Sequence, residues 1–200
     1  MNTPKTLLEI AGAPPRSVDW SQAAVILVDF QQEYLNGALN LGPSAKPAID
    51  AANRLAAHAR EIGAPVFHVV HHGRAGGATF TPNTPLVDIV PGLSVMEGEP
   101  IVIKSMPNAF KDTHLAELIE QTGRRQLIFC GFMSHMCVST SVRAALDLGY
   151  LNFVCSDACA TRDLADENGE VIPAATVHKA TMAALRDLFA TVIRSDAMLP

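Results

Sequence analysis

Three residue types in this 200-residue chain could together break an acyl bond: a thiol, a carboxylate and an amine. The thiol is Cys137, inside residues 126–150 (QLIFCGFMSHMCVSTSVRAALDLGY). That stretch opens with an unbroken apolar run, Leu127-Ile128-Phe129-Cys130, which suits a strand buried on both faces. Gly131 ends the run. From Val138 the apolar residues recur at helical spacing, Val138, Val142, Ala145 and Leu146, and Gly149 stands where a helix stops. Cys137 therefore sits near a helix start, where unpaired amides carry partial positive charge, favour thiolate and lower a thiol's pKa. A free thiol titrates near ~8.5, so a nucleophile working near neutrality needs such help or an adjacent base.

The carboxylate and the amine come from distant segments. Residues 24–30 (AVILVDF) read as a buried strand with Asp29 close to its carboxyl end. A helix over 44–61 follows, with Ser44 as cap, Pro47 in its first turn and Gly63 as terminator. Residues 65–71 (PVFHVVH) are the second strand. Residues 73–100 are rich in Gly and Pro, with hints of order only at 86–90; a loop of that length in a compact domain is functional or mobile. Residues 101–104 (IVIK) form a short strand ending in Lys104, and 112–121 a helix ending near Gly123. After the central strand and helix come a strand at 152–156, a helix at 173–189 and a last strand at 191–195. Strands alternating with helices predict a parallel sheet covered by helices on both faces. Ligands of such sheets bind beyond the carboxyl ends of the strands, where Asp29, Lys104 and Cys137 would converge at one rim.

Composition narrows the function classes. Two hundred residues suit a single domain over 23–200, behind a Pro- and Gly-punctuated arm at 1–22. Fifteen Lys and Arg against 20 Asp and Glu give a net charge of −5, which gives no reason to expect nucleic acid or an anionic membrane as partner. The N-terminal residues lack the pattern of a signal peptide, and no apolar run is long enough to span a bilayer. The cysteines at 130, 137, 155 and 159 form no C-x-x-C pair, so a reduced, cytoplasmic protein is the expectation. Cys130 and Cys155 read as core, and Cys159 as inert on a rim loop. Ser134 beside His135 reads as a helix cap rather than a serine nucleophile, because neighbours in a turn rarely face each other.

The set Asp29-Phe30-Gln31, Lys104 and Gly131-Phe132-Met133-Ser134-His135-Met136-Cys137-Val138 resembles the isochorismatase-like cysteine hydrolase family. The resemblance runs from about residue 24 to 195 and includes Ala109-Phe110, Thr113, Leu115 and Asp157-Ala158, with the Cys137 segment its specific part. It implies a Rossmann-type, three-layer α/β/α fold around a six-stranded, mainly parallel sheet. It also implies a triad: Cys137 as nucleophile, Asp29 as general base, and Lys104 as the cation that orients Asp29 and lowers the thiol pKa. The backbone amides of Met133 and Cys137 would form the oxyanion hole, with a cis peptide at Phe132–Met133. Gln31, Phe80 and Phe110 are candidate substrate contacts, and His71 and His72 candidates for the pocket mouth.

The nicotinamidase branch carries Asp-x-His and further histidines after its second strand, whereas this chain reads His68-Val69-Val70-His71-His72-Gly73. His68 and His71, three apart on a strand, face opposite ways, so no metal and no other cofactor is expected. A cysteine at 137 favours hydrolysis of a small amide, a carbamoyl or ureido compound, or a lactam. The alternatives are an isochorismatase-type vinyl-ether hydrolase and a non-catalytic binding or oligomerisation module. The expected partners are a small-molecule substrate and further copies of the chain, as a dimer or tetramer.

Overall fold

A computed structural model describes residues 3–199. In chain order the elements are α1 (Leu7–Ile10), β1 (Ala23–Val28), α2 (Glu33–Asn36), α3 (Ala45–Glu61), β2 (Val66–His71), β3 (Ile101–Lys104), α4 (Leu115–Gln121) and β4 (Gln126–Phe132). Then follow α5 (Ser139–Asp147), β5 (Leu151–Ala160), β6 (Leu164–Ala165), β7 (Val171–Ile172), α6 (Ala174–Leu188), β8 (Thr191–Ile193) and α7 (Ser195–Met198). Six strands form one sheet in the order β3-β2-β1-β4-β5-β8, with every neighbouring pair parallel. Helices cover both faces, which gives the α/β/α layering that the strand–helix alternation predicts.

The apolar runs explain themselves in this setting. Successive side chains of a strand point to opposite faces, so a strand covered on both sides needs an apolar residue at every position. Along β1, Ala23, Val25 and Leu27 enter one core with the alanine-rich face of α3, while Ala24, Ile26 and Val28 enter the other. In β4, Ile128 and Cys130 join the first core, and Leu127 and Phe129 join the second beside Val142, Ala145 and Leu185.

The chain lays strands outward from β1 through β2 to β3, then restarts at β4 and proceeds the other way. The β1–β4 pair is thus the point where strand order reverses, and ligands of open α/β sheets bind in the crevice at its carboxyl end. Asp29 closes β1 and Cys137 follows β4, one on each lip.

Several boundaries differ from those read in the sequence, each for a local reason. Gly131 does not end β4; it continues the strand with φ 133°, and a β-carbon there would collide with the Val28 carbonyl of β1. The register shift between Phe129 and Gly131 lets β5 continue to Ala160, well past Ser156. Asp112 adopts a left-handed backbone (φ 55°), so α4 starts only at Leu115. Ser44 lies in a 3-10 turn (Gly42–Ser44) with its hydroxyl on Leu41 O at 2.9 Å, and gives α3 no side-chain cap. Within the arm, α1 carries a reciprocal Thr6–Glu9 capping box, and Leu7 N–H donates to Asp187 Oδ1 of α6 at 2.9 Å.

The long segment before β3 is tied down at its end. Glu99 accepts from Arg60 of α3 at 2.6 and 2.9 Å, from the Met96 amide at 2.9 Å, and meets His68 Nε2 of β2 at 2.8 Å. Burial alone would raise its pKa, but these donors outweigh burial and bring it from 4.5 down to about 2. A carboxyl depressed on folding stabilises the protein above its unfolded value, and that stability is lost as pH falls through the folded one. Glu99→Gln is therefore expected to cost about 2 kcal/mol at pH 7 and progressively less from pH 4.5 toward pH 2. Urea unfolding at several pH values measures this; parallel pH slopes for the two proteins would show that Glu99 does not carry the effect.

Candidate active site

Asp29 is the first residue past β1 and takes a left-handed backbone (φ 52°), which aspartate tolerates better than most side chains. The turn is fixed on both sides: Asp29 N–H donates to Val69 O at 2.8 Å, and Gln31 N–H to Asp29 O at 2.8 Å. Lys104 ends β3, in register opposite His71. Strand alternation leaves Ile101 and Ile103 exposed and turns Val102 and Lys104 inward. Cys137 is the fourth residue of a π-turn, Ser134–Val138, between the Phe132–Met133 peptide, which is cis, and α5.

These three side chains meet. Lys104 Nζ lies 2.8 Å from Asp29 Oδ2 and 3.3 Å from Cys137 Sγ. Asp29 and Lys104 are wholly shielded from solvent, and Cys137 is 6% exposed. Lys104 and Asp29 form a buried charge pair, with neither carboxylate oxygen otherwise hydrogen-bonded among the described residues.

The electrostatics follow from burial. Burial raises the Asp29 pKa, with the Lys104 charge pulling the other way. Burial and the Asp29 charge raise that of Cys137 well above a free thiol's, and Lys104 offsets only part. One buried cation balances one buried anion, and a thiolate would be a second anion without a partner. Burial therefore disfavours a second anion beside Asp29 and pushes the thiol toward its neutral form. The net direction is upward, opposite to the lowering expected near a helix start, although Lys104 itself pulls the thiol down. His71 Nδ1 is 3.2 Å from Lys104 Nζ. An ammonium has only protons to give, so Nδ1 is the acceptor here. Burial, then the charges of Lys104 and His72, hold His71 at about 4 and keep it neutral.

Residues 23–197 match the isochorismatase domain family. The chain belongs to the isochorismatase family of hydrolases. The uncharacterized isochorismatase family protein YddQ of Bacillus subtilis is 42% identical over 88% of this chain and 98% of its own length. Streptothricin hydrolase of Streptomyces noursei is 35% identical over 88% of this chain and 63% of that protein. The crystal structure of an isochorismatase from Pseudomonas putida KT2440 superposes with a TM-score of 0.92 at 43% identity, covering 98% of this chain and all of that one.

In this isochorismatase-family chain the other candidates divide. The Met133 amide donates to no protein acceptor among the described residues, and Cys137 lies four residues on in the same turn. Phe80 is buried with φ 49°, edge-on to His71 (4.9 Å) and Tyr34 (5.3 Å). Gln31 is not a free substrate contact. Its amide donates to His71 O and Val87 O, each at 2.8 Å, and accepts from His71 N at 2.7 Å, so it fastens β2 to the loop. Phe110 stacks 6.3 Å from Tyr150 and packs against the core cluster that includes Cys137. Ser134 caps nothing; its Oγ is 2.8 Å from His178 Nδ1 of α6. Cys130, Cys155 and Cys159 are buried, and burial raises each thiol, that of Cys159 to about 12.

Two residues beside the site went unmarked in the sequence. Tyr34 is 1% exposed, and burial, then the charges of Asp29 and Cys137, push its hydroxyl well above the usual phenol range. Glu33 is fully buried and accepts from Phe80 N at 3.1 Å and Leu39 N at 3.2 Å, holding the loop that carries Phe80. Their one signal is position, a few residues after Asp29 on a turn. Among the described residues, no three His, Cys, Asp or Glu side chains gather to hold a metal ion, and no helix is long and apolar enough to cross a membrane.

Proposed function

We propose that this protein is a cysteine hydrolase that cleaves the C–N bond of a small amide, carbamoyl or ureido compound, or lactam. The observation that carries this reading is Lys104 Nζ standing 2.8 Å from Asp29 and 3.3 Å from Cys137 in a site closed to bulk water. As the Cys137 sulfur attacks the carbonyl carbon, its proton passes to Asp29, so no stable thiolate need exist beforehand. The substrate carbonyl oxygen becomes an oxyanion, for which the amides of Met133 and Cys137 are the donors in this reading. Asp29 returns the proton to the departing nitrogen and the C–N bond breaks, leaving a thioester on Cys137. Asp29 then takes a proton from water, hydroxide equivalent adds to the thioester, and the acid leaves with the thiol restored. Lys104 holds Asp29 in place and balances its charge throughout.

The name of streptothricin hydrolase supports hydrolytic chemistry in a related chain. The reading needs no metal, and it takes the protein as cytoplasmic, where four free thiols stay reduced. A homo-oligomer belongs to it as well, supported by exposed Ile101 and Ile103 on the edge strand.

The test is a panel of primary amides, N-carbamoyl amino acids, ureido acids and small lactams, read by ammonia release or by the gain of one water in mass, beside isochorismate read by pyruvate. Turnover of one amide class with a Cys137 adduct in the intact protein is expected. Pyruvate release with every C–N substrate inert would transfer the reading to ether hydrolysis. Inertness toward the whole panel would favour a binding or oligomerisation module.

A further inference from the structure

Lys104 and Asp29 project from strand ends that the sheet holds rigid, but Cys137 does not. Its sulfur hangs on a π-turn, whose long-range backbone bonds are Val138 N to Met133 O at 3.3 Å and Ser139 N to Ser134 O. Such turns are sparse in nature and recur at functional sites. The first residue of this one, Ser134, is completely buried and makes its side-chain bond to His178, 44 residues further along the chain. The next, His135, bonds Thr161 Oγ1 just past β5 at 2.6 Å. Helix α6, which carries His178, is held at its own start by Ala174 N–H on Asp163 Oδ1 at 2.7 Å, and its Met182 and Leu185 share a core with Cys137 and Val138. Burial pushes the His178 pKa down and so disfavours its charged form. His178 contacts neither Asp29, Lys104 nor Cys137 among the hydrogen bonds and ion pairs of the described residues.

We propose that Ser134 and His178 form a positioning pair: helix α6, through the Ser134 hydroxyl, sets where the π-turn presents Cys137 Sγ and the Met133 amide to a reacting carbonyl. The proposal rests on the reading of Cys137 as nucleophile. Ser134 is joined directly to Met133 and stands three residues before Cys137, so a shift of its backbone moves nucleophile and amide together. Displacements near 1 Å cost reacting groups about 10²-fold in rate.

The probe is p-nitrophenyl acetate, with kcat and KM resolved separately for Ser134→Ala, His178→Ala, His178→Asn and the Ser134→Ala/His178→Ala double variant. Expected are kcat losses of about 10- to 100-fold in each alanine variant with KM within about threefold, and a double variant no worse than either single. His178→Asn, whose amide reaches where Nδ1 stood, should recover most of the loss. Alkylation of Cys137 by iodoacetamide, followed by peptide mass spectrometry, gives a second reading without turnover: both alanine variants should change its rate at least about threefold and His178→Asn restore it. Folded alanine variants that lose only melting temperature, with wild-type kcat and alkylation rate, would overturn the positioning role and leave the nucleophile reading standing. Wild-type activity in a Cys137→Ala control would overturn both.

Discussion

Cys137→Ser is expected to lower kcat by about 10⁴-fold or more on the best substrate of the panel, with folding stability within about 1 kcal/mol of wild type. Serine nearly matches cysteine in shape, and at a site only 6% exposed it can keep the contact with Lys104 Nζ. What it cannot keep is acidity. Burial and Asp29 already make the thiol a reluctant acid, and the hydroxyl is a far weaker one. Asp29, although raised by burial, cannot draw a proton from it at a useful rate. The variant should also form no covalent adduct in intact-mass measurements where wild type does. Activity within tenfold of wild type would remove Cys137 from the nucleophile's role.

Lys104→Met should damage fold and chemistry together. Both members of the ion pair are fully shielded, and removing one partner of such a pair costs about 3–5 kcal/mol because the remaining charge is stranded. Asp29 then escapes by binding a proton, since burial already raises its pKa and the opposing Lys104 is gone. The sign of the pH dependence follows. An acid raised on folding stabilises the protein below its unfolded value, 3.8 here, and that stability is lost as pH rises through the folded value. The deficit of the variant should therefore be smaller at pH 4 than at pH 7 in urea unfolding. A neutral Asp29 is no base, so kcat should fall about 10³-fold at pH 7. Asp29→Asn combined with Lys104→Met should recover stability but not turnover. Wild-type stability and turnover in the single variant would exclude the charge pair as the organising contact.

What could be read beforehand depended on how local each signal was. The doubly buried strands declared themselves, because two-sided burial demands the apolar runs of β1 and β4. Asp29, Lys104 and Cys137 could be assigned to one rim because parallel strands bring their carboxyl ends together, whatever the distance in sequence. Side-chain partnerships were less legible. Gln31 looked like a free amide beside the site, but whether an amide is free depends on carbonyls at His71 and Val87 that the fold alone brings near. Ser134 sat where helices are commonly capped, and its true partner lay on α6. Phe110 followed a motif-like alanine, yet its ring turned toward Tyr150. The β6–β7 hairpin has two residues per strand, too few for any period to appear. The upward push on the Cys137 thiol comes first from its depth of burial, which no local stretch of sequence displays.

The reversal of strand order at β1 and β4 means that the molecule divides between the proposed nucleophile and its proposed base. Residues before about 124 build the half-sheet β3-β2-β1 and contribute Asp29 and Lys104. Those after it build β4-β5-β8 and contribute Cys137 and the π-turn that carries it. Neither half alone contains a working set, and the two are joined along a seam where Gly131 rides against the Val28 carbonyl with no room for a methyl group. Turnover is therefore a direct report on the closure of that seam: two fragments of this chain that reassemble should regain activity only as far as β1 and β4 regain their pairing.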